Sequence, residues 1–154
     1  MSAPPRLLVV AHPRAEAIGA LVEHLVTGIT EGGGIADVRE PTEAGPAEVE
    51  AAAAIVIAGP EYFGYMSGLV KDFLERIYPW TLETGIVRPC GLVVSAGNDG
   101  TGAITSIERI LTGLRWSQPL PALLARMPID DTDLAAAHEL GATLAAGLEA
   151  GIFG

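Results

Sequence analysis

Residues 55–77 read IVIAGPEYFGYMSGLVKDFLERI, and the fold is decided there. An apolar run ends in a Gly-Pro turn, a loop carries Glu61, Tyr62, Phe63 and Tyr65, and Ser67 then opens an amphipathic helix. In an open parallel sheet, ligands sit outside the carboxyl ends of the strands, so a loop there that spends three aromatics is expected to face a flat guest. Binding residues concentrate on such loops; the plainer alternative is that the aromatics seal the top of the core.

The same alternation extends in both directions. Residues 7–11 form a short apolar run, followed at helical spacing by Ile18, Leu21, Val22, Leu25, Val26 and Ile29. Gly32-Gly33-Gly34 stops that helix, residues 35–39 can form a second strand, and the acidic, alanine-rich residues 43–52 a short helix. Residues 53–58 supply the third strand, and Leu69, Val70, Phe73, Leu74 and Ile77 mark a helix that Pro79 is expected to end. Residues 91–96 are the fourth strand, and Ile104, Ile107, Ile110, Leu111 and Leu114 mark the helix after it. A fifth strand lies in a stretch broken by Pro119, Pro121 and Pro128, which an edge position tolerates. Thr132 can cap a last helix with the stripe Leu134, Ala137, Gly141, Leu144 and Leu148. Five parallel strands joined by right-handed helical crossovers predict a doubly wound α/β sheet of order 2-1-3-4-5 in three α/β/α layers.

The chain of 154 residues fits one domain, residues 1–154, large enough to bury about two-thirds of its unfolded surface. Its 49% hydrophobic residues argue against disorder, and its 19 glycines suit strand-to-helix turns. A net charge of −10, with Lys71 the only lysine, disfavours nucleic acid and anionic lipid as partners. A lone cysteine, Cys90, excludes an intramolecular disulfide and any cysteine-rich metal site, and its apolar neighbours suggest an inert core thiol. With no His, Asp or Glu cluster at ligand spacing, no metal is expected. No apolar run is long enough to span a bilayer, and the start lacks a signal-peptide pattern, so a cytoplasmic protein is expected.

Three loops converge at one edge of this sheet: residues 12–17, 59–66 and 96–102. The third, Gly97-Asn98-Asp99-Gly100-Thr101-Gly102, lets the backbone approach a ligand closely and turn N–H groups toward it. A plain turn before a helix would use the same letters. His24 and His138 lie in helices and read as surface or packing residues, and Trp80 and Trp116, placed just beyond helix ends, as packing residues.

The segments GPEYFGYMSGLVKDFLERIY and SAGNDGTGAITSIERI closely resemble the NAD(P)H-dependent FMN reductases and flavodoxin-like oxidoreductases. The resemblance implies a flavodoxin-like fold, FMN as cofactor, reduction by NADH or NADPH, and delivery of electrons to a quinone, a free flavin or another small acceptor. A homodimer with a second subunit beside the flavin is also implied. By the same resemblance Pro60, Glu61, Tyr62, Phe63 and Gly64 border the isoalloxazine ring on one side, and Ala96, Gly97, Asn98, Asp99 and Gly100 on the other. Hydride transfer needs no side-chain base, so no catalytic residue is assigned.

The first loop departs from the family's pattern. Where relatives place serine, threonine and glycine around the phosphate, this chain reads His12-Pro13-Arg14-Ala15-Glu16-Ala17, without a hydroxyl. Losing two or three bonds to a charged group, each worth roughly 1.5–3 kcal/mol, would weaken binding by orders of magnitude. Arg14 offers a bidentate contact in compensation, and His12, if protonated, a charge-assisted donor. The plainer roles are an Arg14–Glu16 surface pair and a helix-dipole partner for Glu16. Two other functional classes therefore stay open: a binding or regulatory module with a decayed phosphate loop, and an electron carrier resembling flavodoxin.

Overall fold

Leu7, Leu8, Val9 and Val10 are all fully buried, as a strand covered on both faces requires. In the computed structural model, which describes residues 3–153, they form β1 (Arg6–Ala11). After it come α1 (Glu16–Glu31), β2 (Ile35–Arg39), a 3₁₀ turn (Pro41–Glu43), α2 (Pro46–Ala51) and β3 (Ala54–Tyr62). The chain continues through β4 (Tyr65–Met66), α3 (Gly68–Thr84), β5 (Cys90–Ala96), α4 (Thr101–Leu114), β6 (Leu123–Arg126) and α5 (Asp131–Glu149).

The sheet order is β2-β1-β3-β5-β6, with every neighbour parallel. Counting the parallel strands alone, this is the expected 2-1-3-4-5, with β4 added as an antiparallel hairpin partner of β3. Alternate residues of the central strands feed two cores. Leu8, Val10, Ile55, Ile57 and Leu92 pack with Phe73, Leu74 and Ile77 of α3 and with Ile107 and Leu111 of α4. Leu7, Val9, Val56 and Val93 pack with Leu21, Leu25 and Ile29 of α1 and with Ala137 and Leu144 of α5. Cys90 is fully buried in the first core, and burial alone pushes its thiol pKa far up. The short strand β6 takes the edge, where the prolines around it cost no ladder bonds.

Four local expectations are corrected. β3 does not end at Gly59-Pro60 but continues to Tyr62, because Pro60 pairs with Ser95 and the strand then folds back on itself as a hairpin. α3 runs through Pro79 to Thr84. Pro79 lies on the exposed side, where water can serve the carbonyl it leaves unpaired, while Ile77 and Thr81 hold the buried side in place. Trp80 therefore lies inside α3, and Gly85, at φ 72°, supplies the left-handed stop. The cap of α5 is Asp130, not Thr132: Asp130 and Asp133 bond reciprocally to each other's backbone N–H, at 3.1 and 3.0 Å.

Glycine sets how closely α1 and α5 approach. A methyl built on Gly141 would stand 2.3 Å from the Leu25 carbonyl oxygen, and one on Gly28 would stand 1.9 Å from that of His138. Gly141→Ala must push the helices apart and should cost about 1–3 kcal/mol, seen as a lower urea midpoint with an unchanged slope. An unaltered midpoint would mean that the helices do not rely on this approach.

Candidate functional site

The carboxyl ends of β1, β3 and β5 bring the three predicted loops together. The line of β1 extends to His12, whose backbone N–H donates to the Ala58 carbonyl at 2.9 Å. The His12 side chain is buried, its ring edge-on to Tyr62 at 5.7 Å and 86°. Its Nδ1 accepts the Arg14 N–H at 3.4 Å, which places the ring proton on Nε2. Burial lowers the His12 pKa, and the Arg14 charge lowers it further. The imidazole is accordingly neutral near pH 7. The charge-assisted donor expected of a protonated His12 is replaced by a neutral Nε2–H.

α1 then starts at Glu16 behind Ala15, which has no side chain able to cap it, so the helix's first N–H groups get no side-chain acceptor from their cap. Arg14 is exposed and, among the described residues, forms no ion pair; the pairing with Glu16 is not formed.

In the second loop, Phe63 and Gly64 turn the β3–β4 hairpin with φ of 55° and 70°. Such tight turns match strand twist, but a phenylalanine held left-handed costs roughly 1–2 kcal/mol. Local strain of this kind concentrates at binding sites. Tyr62 and Tyr65 face each other across the hairpin at 44% exposure each, and Phe63 is fully exposed. The aromatics therefore form an outward platform and do not seal the core. Lys71 Nζ stands 5.9 Å from the centre of the Tyr65 ring and 3.2 Å from Glu75 Oε2. Gly59 packs closely under α3, where a Cβ would lie 3.0 Å from Val70 Cγ2.

Glu61 faces away from the platform. Its carboxylate accepts from the N–H of Gly100 at 2.9 Å and from that of Ala103 at 3.1 Å, so both oxygens are committed to the start of α4. In the third loop Ala96 and Gly100 are buried, while Gly97, Asn98 and Asp99 are exposed. No protein atom occupies the space beside Gly97 where a Cβ would stand. The Asp99 carboxylate accepts from the Thr101 hydroxyl.

Arg126, which sequence reasoning missed, donates through Nε to the carbonyls of Asn98 and Asp99, both at 3.1 Å. Its only advance signal was its place in the proline-broken stretch assigned to the edge strand. Its Nη2 lies 4.0 Å from Asp99 Oδ1. Pro60, Ala96 and Gly100 are buried beneath the surface, with the Ala96 carbonyl taken by the Met127 N–H at 2.8 Å and the Gly100 N–H by Glu61, while Arg14, Tyr62, Phe63, Gly64, Gly97, Asn98 and Asp99 form the accessible rim. Among the described residues no three His, Cys, Asp or Glu side chains are grouped to hold a metal, and no helix is long and apolar enough to cross a membrane.

The NADPH-dependent FMN reductase family model matches residues 12–124. Comparison with curated proteins gives no match. Among solved structures, a flavodoxin from the domain Archaea superposes with TM-score 0.82 at 18% identity, over 94% of this chain and 99% of that one. A flavodoxin, WrbA-like protein from Agrobacterium tumefaciens gives 0.77 at 19% identity, over 95% and 98%. Rubredoxin oxygen:oxidoreductase from Desulfovibrio gigas gives 0.83 at 15% identity over 96% of this chain, which spans only 37% of that longer protein. At these identities the likeness is one of fold, the flavodoxin-like three-layer α/β/α sandwich.

His12 provides a pH test of the geometry. Its folded pKa lies below 6.5, so below that pH the unfolded chain takes up a proton more readily than the folded one. Its contribution to stability is present above the unfolded value and is lost as the pH falls from there through the lower folded pKa. A proton NMR titration should give a His12 midpoint below 6.5. A midpoint at or above that value would contradict the buried, Nδ1-accepting imidazole.

Proposed function

This chain belongs to the NADPH-dependent FMN reductase family, and on that premise we propose that it holds FMN across the carboxyl edge of its sheet and passes electrons from NADPH or NADH to a small acceptor such as a quinone or a free flavin. The observation that carries the reading is the exposed aromatic platform of Tyr62, Phe63 and Tyr65 fastened beside the exposed loop Gly97-Asn98-Asp99. A flat polycyclic ring needs an apolar face and a row of polar backbone groups along one edge, and these two loops offer both.

The residues present fit such a group unevenly. At the ring end, the space beside Gly97 leaves room for close approach. At the phosphate end, the chain offers the unpaired Arg14 guanidinium, the Nε2–H of His12 and the uncapped N-terminus of α1, with no hydroxyl among them. Glu16, in the first turn of α1, opposes a second anion there.

When bound, FMN supplies the hydride-accepting and hydride-donating centre. The residues of this chain orient it and shape the field around it. Tyr62, Phe63 and Gly64 would flank the ring on one side and Gly97, Asn98 and Asp99 on the other, with Pro60, Glu61, Ala96 and Gly100 supporting them from beneath. Exposed backbone N–H groups of the 97–99 loop would favour a ring that gains negative charge. Tyr62 and Phe63 would keep water from the ring face. Arg14 and His12 would hold the phosphate.

The hydroxyl-free first loop favours a second reading, a binding module with no flavin, and a single titration separates the two. Calorimetry should show one FMN per chain, and Arg14→Ala should weaken it about 10–100-fold, the worth of one bond to a charged group. The bound flavin should then be bleached by NADPH without a partner protein. No heat with millimolar FMN would leave the module.

A further inference from the structure

α4 begins without a cap of its own. Its N-cap is Gly100, at φ 83° and with no side chain, so the first N–H groups of the helix must find an acceptor elsewhere. That acceptor is Glu61, 39 residues earlier in the chain, which takes the N–H groups of Gly100 and Ala103 with its two oxygens. The same hairpin touches α4 at two further points. The Gly64 carbonyl lies so close to Gly102 that a methyl there would stand 2.0 Å from it. Met66 N–H donates to Ser106 Oγ at 3.2 Å, and that hydroxyl donates to the Ala103 carbonyl at 2.8 Å.

We infer that Glu61 is the positioning residue of the site: its carboxylate, seated on the N-terminus of α4, locks the aromatic hairpin to the glycine loop and cancels the positive pole of the helix beside the ring. The second half of this inference rests on the flavin reading, because only a guest that gains negative charge on reduction senses that pole. The first half rests on the hydrogen bonds alone.

A carboxylate is needed for both tasks. A glutamine can accept one of the two N–H groups with its oxygen, but it then turns an NH₂ toward the other, where two donors repel. Removing the charge also leaves the helix's partial positive charge unopposed, which favours the reduced, more negative state of the ligand. Gly102→Ala does the complementary thing. It wedges a methyl between hairpin and helix, 3.3 Å from Glu61 Oε2, while retaining the Glu61 charge.

The test uses the full chain and both variants. Amide hydrogen exchange on ligand-free protein comes first, followed by FMN calorimetry and a redox titration of bound FMN. Glu61→Gln should speed exchange at Gly100, Ala103 and Met66 at least tenfold and weaken FMN at least tenfold. It should also raise the midpoint potential by about 30 mV, a tenfold shift in relative affinity for the two redox forms. Gly102→Ala should speed exchange and weaken FMN with the potential unchanged. If exchange and affinity in Glu61→Gln match the unmodified chain, the positioning role is overturned. An unmoved potential overturns the electrostatic half. A parent chain that ignores FMN overturns the flavin reading and that half with it, while faster exchange in Glu61→Gln would still uphold the lock.

Discussion

A parallel sheet buried on both faces constrains everything else in this molecule. Its strands can be joined only by crossovers, and each crossover leaves from the carboxyl end of one strand to return at the amino end of the next. Leu7 to Val10 and Ala54 to Ala58 are fully buried for that reason, and the loops after β1, β3 and β5 must emerge side by side. Because β1 and β3 are neighbours and β5 adjoins β3, the chain gathers a buried imidazole, an aromatic hairpin and a glycine loop on one edge without any long-range instruction in the loops themselves.

Polar contacts then turn three adjacent loops into one surface. The His12 ring meets Tyr62, Glu61 spans from the hairpin to α4, and Arg126 ties the carbonyls of Asn98 and Asp99 to the end of β6. Close backbone approach is what glycine permits here: at Gly100 any side chain would meet Leu124, and at Gly102 it would meet the hairpin. The rim can therefore be exposed and still held in place from beneath. At the first loop the rim is less endowed, with the exposed guanidinium of Arg14 and the neutral imidazole of His12 as its side-chain donors.

The sheet order and most helices were legible because they follow from hydrophobic period and from glycine placement, both of which are local. What escaped reading depends on partners far along the chain. Gly59-Pro60 has the letters of a turn, yet Pro60 is held in the strand by Ser95 on β5. Pro79 has the letters of a helix end, yet its exposed position lets the buried residues on either side carry the helix through. Asp130 and Thr132 are both good caps, and only the reciprocal bonds with Asp133 choose between them. In the site, the residues of the rim were legible as types suited to a flat ligand. The downward task of Glu61 and the clamp from Arg126 were not. A helix start at Gly100 with no capping side chain was the one available sign that an acid elsewhere must serve it.

The central claim is that a flat, anionic ligand lies on the shared edge of these loops. Backbone amide shifts of the isotope-labelled chain, followed through an FMN titration, test it most directly. The account predicts saturable shifts confined to residues 12–18, 59–66 and 96–103, with the largest at Tyr62 through Gly64 and Gly97 through Asp99. Saturable shifts centred elsewhere, such as on the cleft lined by Leu120, Leu123, Leu140 and Thr143, or no shifts at all, would contradict it.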